Sequence, residues 1–263
     1  MAKTDGAAGP GVALVTGASS GIGLELALCF ARDGHSLIIA GQDQGKLDKA
    51  AETLRAAGAP RVETLAVDLA RMEGAPELYG KVQEIGLDPD FLVLNAGVGV
   101  WGDFVRETDL YRELSMIQLN VISTVQAAKL FLPAMVERGS GRVLITSSLS
   151  AIGPAPKLGV YSATKAFLYA FAEAIRNEIE DTGVTVTALL PDITDTDFFR
   201  RAGAENSQTI KAKKGDPATV AEAGYAALMK GSDHVVTPAA SKIKAAVANI
   251  LPEKLVAHLA RAD

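Results

Sequence analysis

The chain holds a single cysteine, Cys29, among 263 residues. No internal disulfide can form, which excludes the cross-linked scaffolds of small secreted proteins. Cys29 lies in LELALCFA, an apolar helical pattern that predicts a buried, inert thiol. A reducing compartment fits, and a cytoplasmic location is expected. There are three histidines, His35, His234 and His258, scattered along the chain with no HExxH or CxxC spacing. No metal site is expected. Charge is nearly balanced, at a net -5, which excludes the strongly basic surface of a nucleic-acid binder. No stretch approaches the ~20 consecutive apolar residues of a membrane span, so no integral membrane segment is expected. Residues 1–10 are small and glycine-rich and lack the apolar stretch of a signal peptide, so a flexible tail is expected there.

What is present is an apolar fraction of 48%, ample for a substantial core. Short β-branched runs alternate with longer amphipathic stretches. Strands are predicted at 11–17, 35–41, 61–69, 90–97, 141–148, 184–191 and 233–238. Helices are predicted over about 21–33, 44–57, 72–85 and 108–137. Continuous apolar strands between helices require a parallel sheet covered on both faces. The pattern predicts one domain over 1–263 with a doubly wound, Rossmann-like α/β fold and a seven-stranded parallel sheet. Two helices, containing LSMIQLNVISTVQAAKLFLPAM and AFLYAFAEAI, are apolar nearly all round. A second subunit is the simplest cover for their outer faces, so a homodimer or homotetramer is expected. Residues 239–263 read as a C-terminal extension of two short helices broken at Pro252. They are expected to dock on their own or a partner subunit, with a peripheral membrane contact as the alternative.

Two local patterns bear on chemistry. In VTGASSGIG, Gly17, Gly21 and Gly23 join the first strand to the first helix. Such a turn lets backbone N–H groups approach a phosphate at the positive end of a helix, and Ser19 and Ser20 add hydroxyls. It is not a P-loop, because Leu24 stands where that loop has its lysine. The competing reading is an ordinary strand-to-helix turn. In VYSATKAF, Tyr161 and Lys165 are one helical turn apart and share a face. They are either an acid/base pair or a surface pair without chemistry.

Taken together, TGASSGIG (16–23), LNAG (94–97), Ser148 in ITSSLSAIG and YSATK (161–165) resemble the short-chain dehydrogenase/reductase family. Ser148 precedes Tyr161 by thirteen residues, the spacing common in that family, and Asn120 in QLNVIST falls at the family's helix asparagine. The resemblance covers residues 10–238 and looks most like a broad bacterial branch of poorly defined substrate. It implies hydride transfer between a nicotinamide and a carbonyl or alcohol carbon of a small molecule. Tyr161 would be the general acid in reduction and the base in oxidation. Lys165 would favour the phenolate and bind the ribose hydroxyls. Ser148 would orient the substrate oxygen, and Asn120 would hold a water linking Lys165 to solvent. The turn residues Gly17, Ser19, Ser20, Gly21, Ile22 and Gly23 would bind cofactor. Asp68 would contact the adenine with Leu69 beside it, and Asn95, Ala96 and Gly97 would line the groove. Pro191 and Thr196 would stand against the nicotinamide. Each residue also has a bland reading: Ser148 capping a turn, Asn120 satisfying a helix kink, Asn95 to Gly97 supporting the central strand.

Where an NAD site carries an acidic residue at the end of its second strand, this chain has Gly41. Gln42 stands where the branch often has an arginine for a 2′-phosphate. The absent carboxylate removes a repulsion, so NADP is favoured over NAD. After the sixth strand, Asp192 replaces the family's usual glycine in PDITDT. Residues 197–216 stand where the family's substrate loop forms, with Phe198 and Phe199 as lid or anchor. Val98, Val100, Trp101, Ile152 and Gly153 suggest an apolar substrate cavity. The alternative function is a catalytically silent NAD(P)-binding regulatory or structural protein, and a third is an epimerase using transient oxidation.

Overall fold

The computed structural model describes residues 10–153, 155–204 and 214–238. The expected tail up to residue 9, the middle of the substrate segment at 205–213 and the paired helices expected within 239–263 lie outside the described residues. Seven parallel strands form one sheet: β1 (Val12–Thr16), β2 (Ser36–Gly41), β3 (Val62–Ala66), β4 (Phe91–Leu94), β5 (Gly141–Thr146), β6 (Val184–Pro191) and β7 (His234–Thr237). The helices are α1 (Gly21–Arg32), α2 (Gln44–Ala56), α3 (Gly74–Ile85), α4 (Leu110–Ile117), α5 (Ser123–Glu137), α6 (Gly159–Glu178), the short α7 (Phe198–Ala202) and α8 (Pro217–Lys230). The strand order β3-β2-β1-β4-β5-β6-β7 reverses its direction of winding between β1 and β4.

The strands are apolar throughout because both faces are covered. Ala13, Val15, Leu37, Ile39 and Val93 pack on one side with Leu26 and Phe30 of α1, Leu47 of α2 and Leu228 of α8. Their chain neighbours Leu14, Ile38, Leu92, Val143 and Ile145 pack on the other with Leu78 of α3, Phe131 of α5 and Leu168 of α6. The period of two along each strand divides the core into these layers. Cys29 is buried in the first layer, and burial pushes its thiol up to about 11, so it is inert as expected.

Three strands end two or three residues before the apolar runs predict. β3, β4 and β5 leave the ladder at Ala66, Leu94 and Thr146. Val67 and Ser147 still donate to the Gly41 and Leu189 carbonyls, both at 2.8 Å, and the chain leaves the carboxyl edge of the sheet after them. The helix expected over 108–137 runs from Leu110 to Glu137 but contains one wide π turn, Gln118–Ile122. Hydroxyls fill the carbonyls that this turn opens: Ser123 Oγ donates to the Leu119 carbonyl at 2.6 Å and Thr124 Oγ1 to that of Asn120 at 2.9 Å. Leu110–Glu137 is long and apolar enough to cross a membrane by length and composition. That exceeds what the apolar runs promised, yet Ala127, Ala128, Phe131 and Met135 bury against the sheet as in a core helix.

Candidate active site

The first turn after β1 is built on glycine for steric reasons. Gly17 and Gly21 have φ of 68° and 57°, the left-handed region. A β-carbon on Gly23 would stand 2.3 Å from the Gly17 carbonyl oxygen, which forbids any other residue without backbone movement. Ser20 flanks the start of α1 but makes no side-chain cap, whereas Asp43 caps α2 through the Lys46 N–H at 3.1 Å. The opening turn of α1 therefore keeps its N–H groups for something else. They face a cleft of about 340 Å³ along the carboxyl ends of β1 and β4, the place where the winding reverses.

Gly17, Ser19, Ser20, Gly21, Ile22 and Gly23 line one end of this cleft, and Gln42 and Leu69 its outer rim. Asn95, Ala96, Gly97, Pro191 and Thr196 line it as well, and Thr196 lies against the glycine turn, its Cγ2 3.1 Å from where a β-carbon on Gly21 would stand. Asp68 lies outside the wall. Its carboxylate accepts a bond from the Gln42 amide and a second from the Ala70 N–H at 2.9 Å, so it holds the ends of β2 and β3 together. Lys46, which the sequence reading passed over, reaches the wall from the first turn of α2. Its place one turn past the end of β2 was the available signal.

Asn95 ties strand ends. Its amide donates to the Thr16 carbonyl at 3.2 Å, and its Oδ1 accepts from Thr146 Oγ1 at 3.1 Å. Asn120 is fully buried in the π turn and lies outside the cleft wall. Its Oδ1 accepts from the Val98 N–H at 2.9 Å; its Nδ2 donates to the Val98 carbonyl and to Thr164 Oγ1, both at 3.0 Å. A β-carbon on Gly97 would stand 3.2 Å from both Asn120 Oδ1 and Lys165 Nζ, so this bare glycine leaves those two polar atoms facing one point.

Ser148, at the end of β5, and Tyr161 and Lys165, on α6, meet on the cleft wall. Ser148 also caps the short turn Leu149–Ile152, accepting from the Ser150 N–H at 3.2 Å. Lys165 is 3% exposed, and its ammonium donates to the Thr146 carbonyl at 2.8 Å. An ammonium has three donors, so two remain for the cleft. Burial pushes the Tyr161 phenol up to about 12, and a hydrogen bond from Ser148 opposes that rise. The same burial pushes Lys165 down to about 8. Burial thus sets the direction of both shifts. Lys165 Nζ stands 5.8 Å from the Tyr161 ring centroid, and loss of solvent is the leading cause at both groups.

Around Tyr161 the cleft turns apolar. Val98, Leu158 and Phe198 surround it, with Val100 and Met116 beneath. Phe198 lies tilted against the Tyr161 ring, 5.1 Å between centroids with 54° between the ring planes, while Phe199 is buried and anchors α7. Of the other apolar candidates, Trp101, Ile152 and Gly153 lie off the wall. The base of the segment is pinned where Thr194 bridges Gly215 and Lys214 Nζ meets the Asp195 carboxylate at 2.9 Å. Asp192 also lines the cleft, and it needs no glycine-like backbone: Lys157 is the only non-glycine residue with positive φ among those described. Its N–H donates to the Thr237 carbonyl and its carboxylate accepts from the Ile193 N–H, both at 2.8 Å, which stabilises the turn.

Residues 11–207 match the short chain dehydrogenase family. The chain belongs to that family. An uncharacterized oxidoreductase of Staphylococcus saprophyticus is 32% identical over 221 residues, covering 84% of this chain and 92% of the relative. Among solved structures, a short-chain dehydrogenase from Sphingobium yanoikuyae in complex with NADPH superposes with a TM-score of 0.81 at 28% identity, covering 90% and 92% of the two chains. An alcohol dehydrogenase from Thermococcus sibiricus complexed with 5-hydroxy-NADP gives a TM-score of 0.75 at 29% identity, covering 86% and 95%. This chain is thus an oxidoreductase of the short-chain dehydrogenase family.

Proposed function

We propose that this enzyme interconverts a carbonyl and a secondary alcohol on a small, largely apolar substrate, with a nicotinamide cofactor in the cleft. The observation that carries the reading is the meeting of Ser148, Tyr161 and Lys165 on one wall of a cleft whose other end is an uncapped, glycine-built helix start. The residues fit a dinucleotide: Gly17, Gly21 and Gly23 leave room for a phosphate, and the free donors of Lys165 suit ribose hydroxyls. A bound nicotinamide supplies or takes up the hydride. Tyr161 gives its proton to the substrate oxygen, and Ser148 donates a hydrogen bond to the same oxygen. Asn120 holds the loop at Val98 and faces Lys165 across Gly97, where a relay water would bridge them. Phe198 covers the substrate end.

The finer cofactor reading is NADP. No carboxylate stands at Gly41, and that of Asp68 is held by Gln42. Lys46 places an ammonium on the rim beside Asp43 in an exposed pair at 3.8 Å, which is weak and easily exchanged for a phosphate. A carbonyl panel assayed with both reduced cofactors tests function and preference together. The expected result is turnover of apolar ketones, with kcat/KM at least about tenfold higher for NADPH. Lys46→Ala should lower the NADPH value about five- to tenfold and leave NADH unchanged, consistent with one lost charge-assisted contact. Absence of turnover across the panel would favour the silent nucleotide-binding alternative, and a preference for NADH would refute the cofactor reading.

We also assign a homodimer or homotetramer built on the α4–α5 and α6 surfaces. Leu114 and Phe167 on those helices are 51% and 44% exposed in the single chain. Sedimentation equilibrium is expected to give two or four times 27.4 kDa, and a monomer would refute it. The single buried thiol supports the cytoplasm as its site of action.

A further inference from the structure

Ser150 belongs to neither the motif set nor the catalytic trio, yet it lies on the cleft wall and both of its donors converge on Ser148 Oγ. The Ser150 N–H stands at 3.2 Å and the Ser150 hydroxyl at 3.0 Å from that atom. A serine oxygen has two lone pairs and one hydrogen. Ser148's own hydrogen has other acceptors, the Pro191 carbonyl at 3.5 Å and the Tyr161 oxygen. The hydrogen shared between the two serines is therefore Ser150's. With both lone pairs occupied, Ser148 can act only as a donor.

We infer that Ser150 is a positioning residue that locks Ser148 as a hydrogen-bond donor to the substrate's carbonyl oxygen. The inference rests on the role proposed above for Ser148. Accepting two bonds polarises the Ser148 O–H and strengthens the bond it donates. Its bond to the Pro191 carbonyl is long, so little is lost when the hydrogen turns to a substrate oxygen. Tyr161 directs a second donor at the same place. Two fixed donors favour the oxygen as it gains negative charge during reduction, when the bonds tighten. Ser150 would thus act on the transition state through Ser148 without touching substrate.

The test is a double-mutant cycle in steady-state ketone reduction, with cofactor affinity measured by fluorescence titration. Ser150→Ala keeps the backbone donor and removes the hydroxyl; it should lower kcat about tenfold and leave cofactor Kd and Tm unchanged. Ser150→Thr, which restores a hydroxyl, should recover most of the rate. In a Ser148→Ala background, Ser150→Ala should have no further effect. A normal rate in Ser148→Ala would remove Ser148 from the chemistry and this inference with it. A slow Ser148→Ala with an unaffected Ser150→Ala, or with losses that multiply in the double variant, would overturn the inference alone.

Discussion

Tyr161→Phe is expected to lower kcat for carbonyl reduction by about 10²–10⁴-fold, the usual contribution of a positioned general acid. Cofactor Kd should stay within about twofold. The ring is retained, so its packing against Phe198 survives, and Ser148 loses only an alternative acceptor. The pH dependence of each direction follows from the same residue. Burial holds the phenol up to about 12, so it keeps its proton throughout the neutral range. The acid needed for reduction is then fully present, and reduction should show no titration of Tyr161 between about pH 6 and pH 9. Oxidation needs the phenolate and should climb with pH to the alkaline end of the assay. Kinetics of the wild type and the variant in both directions check this. A variant with more than a tenth of the wild-type kcat, or an oxidation rate that falls above neutrality, would remove Tyr161 as the proton carrier.

Much of this site was legible because its parts are local. The Tyr161–Lys165 pair is one turn of helix, and Gly17 to Gly23 is one continuous turn, so spacing alone brings them together. The seven strands were legible because a parallel sheet demands runs of β-branched and apolar residues. What escaped depends on contacts across the chain. The Gln42–Asp68 bond joins the ends of two strands. Phe198 reaches Tyr161 from a segment 37 positions later in the sequence. The π turn at Asn120 leaves no mark in composition, since its carbonyls are satisfied by Ser123 and Thr124, ordinary residues in a helix. Ser150 was invisible because serine is common in turns, and only the distances show that its N–H and its hydroxyl both reach Ser148 Oγ. The direction of the Tyr161 shift was likewise not legible in the spacing of the pair. Spacing gives proximity, but burial decides whether either charge is stable.

That burial leads to an unusual expectation for Lys165→Met: a more stable protein that does not work. A drop from the ordinary lysine value of 10.5 to about 8 means that holding the ammonium inside costs about 3 kcal/mol at neutral pH. Methionine fills the same space without charge. Against the gain stands the lost partner of the Thr146 carbonyl, about 1 kcal/mol or more. The net effect should raise the Tm of the cofactor-free protein by roughly 2–6 °C at pH 7. The sign with pH follows from proton counting. Between about 8 and 10.5 the unfolded chain binds the lysine proton and the folded one does not, so wild-type stability gains from rising pH there. The advantage of Lys165→Met is complete below pH 8 and should shrink as pH approaches 10.5. Activity should move the other way, with kcat/KM down by about 10²–10⁴-fold as charge-assisted bonds to the ribose are lost and cofactor affinity falls with them. Calorimetry at pH 7 and pH 10 beside cofactor titration separates the two effects. A lower Tm at pH 7, or a stability gap that does not change with pH, would show that Lys165 is not a charge held against its solvation. The cleft would then bind its cofactor without the stored cost that makes removal of this one ammonium both stabilising and inactivating.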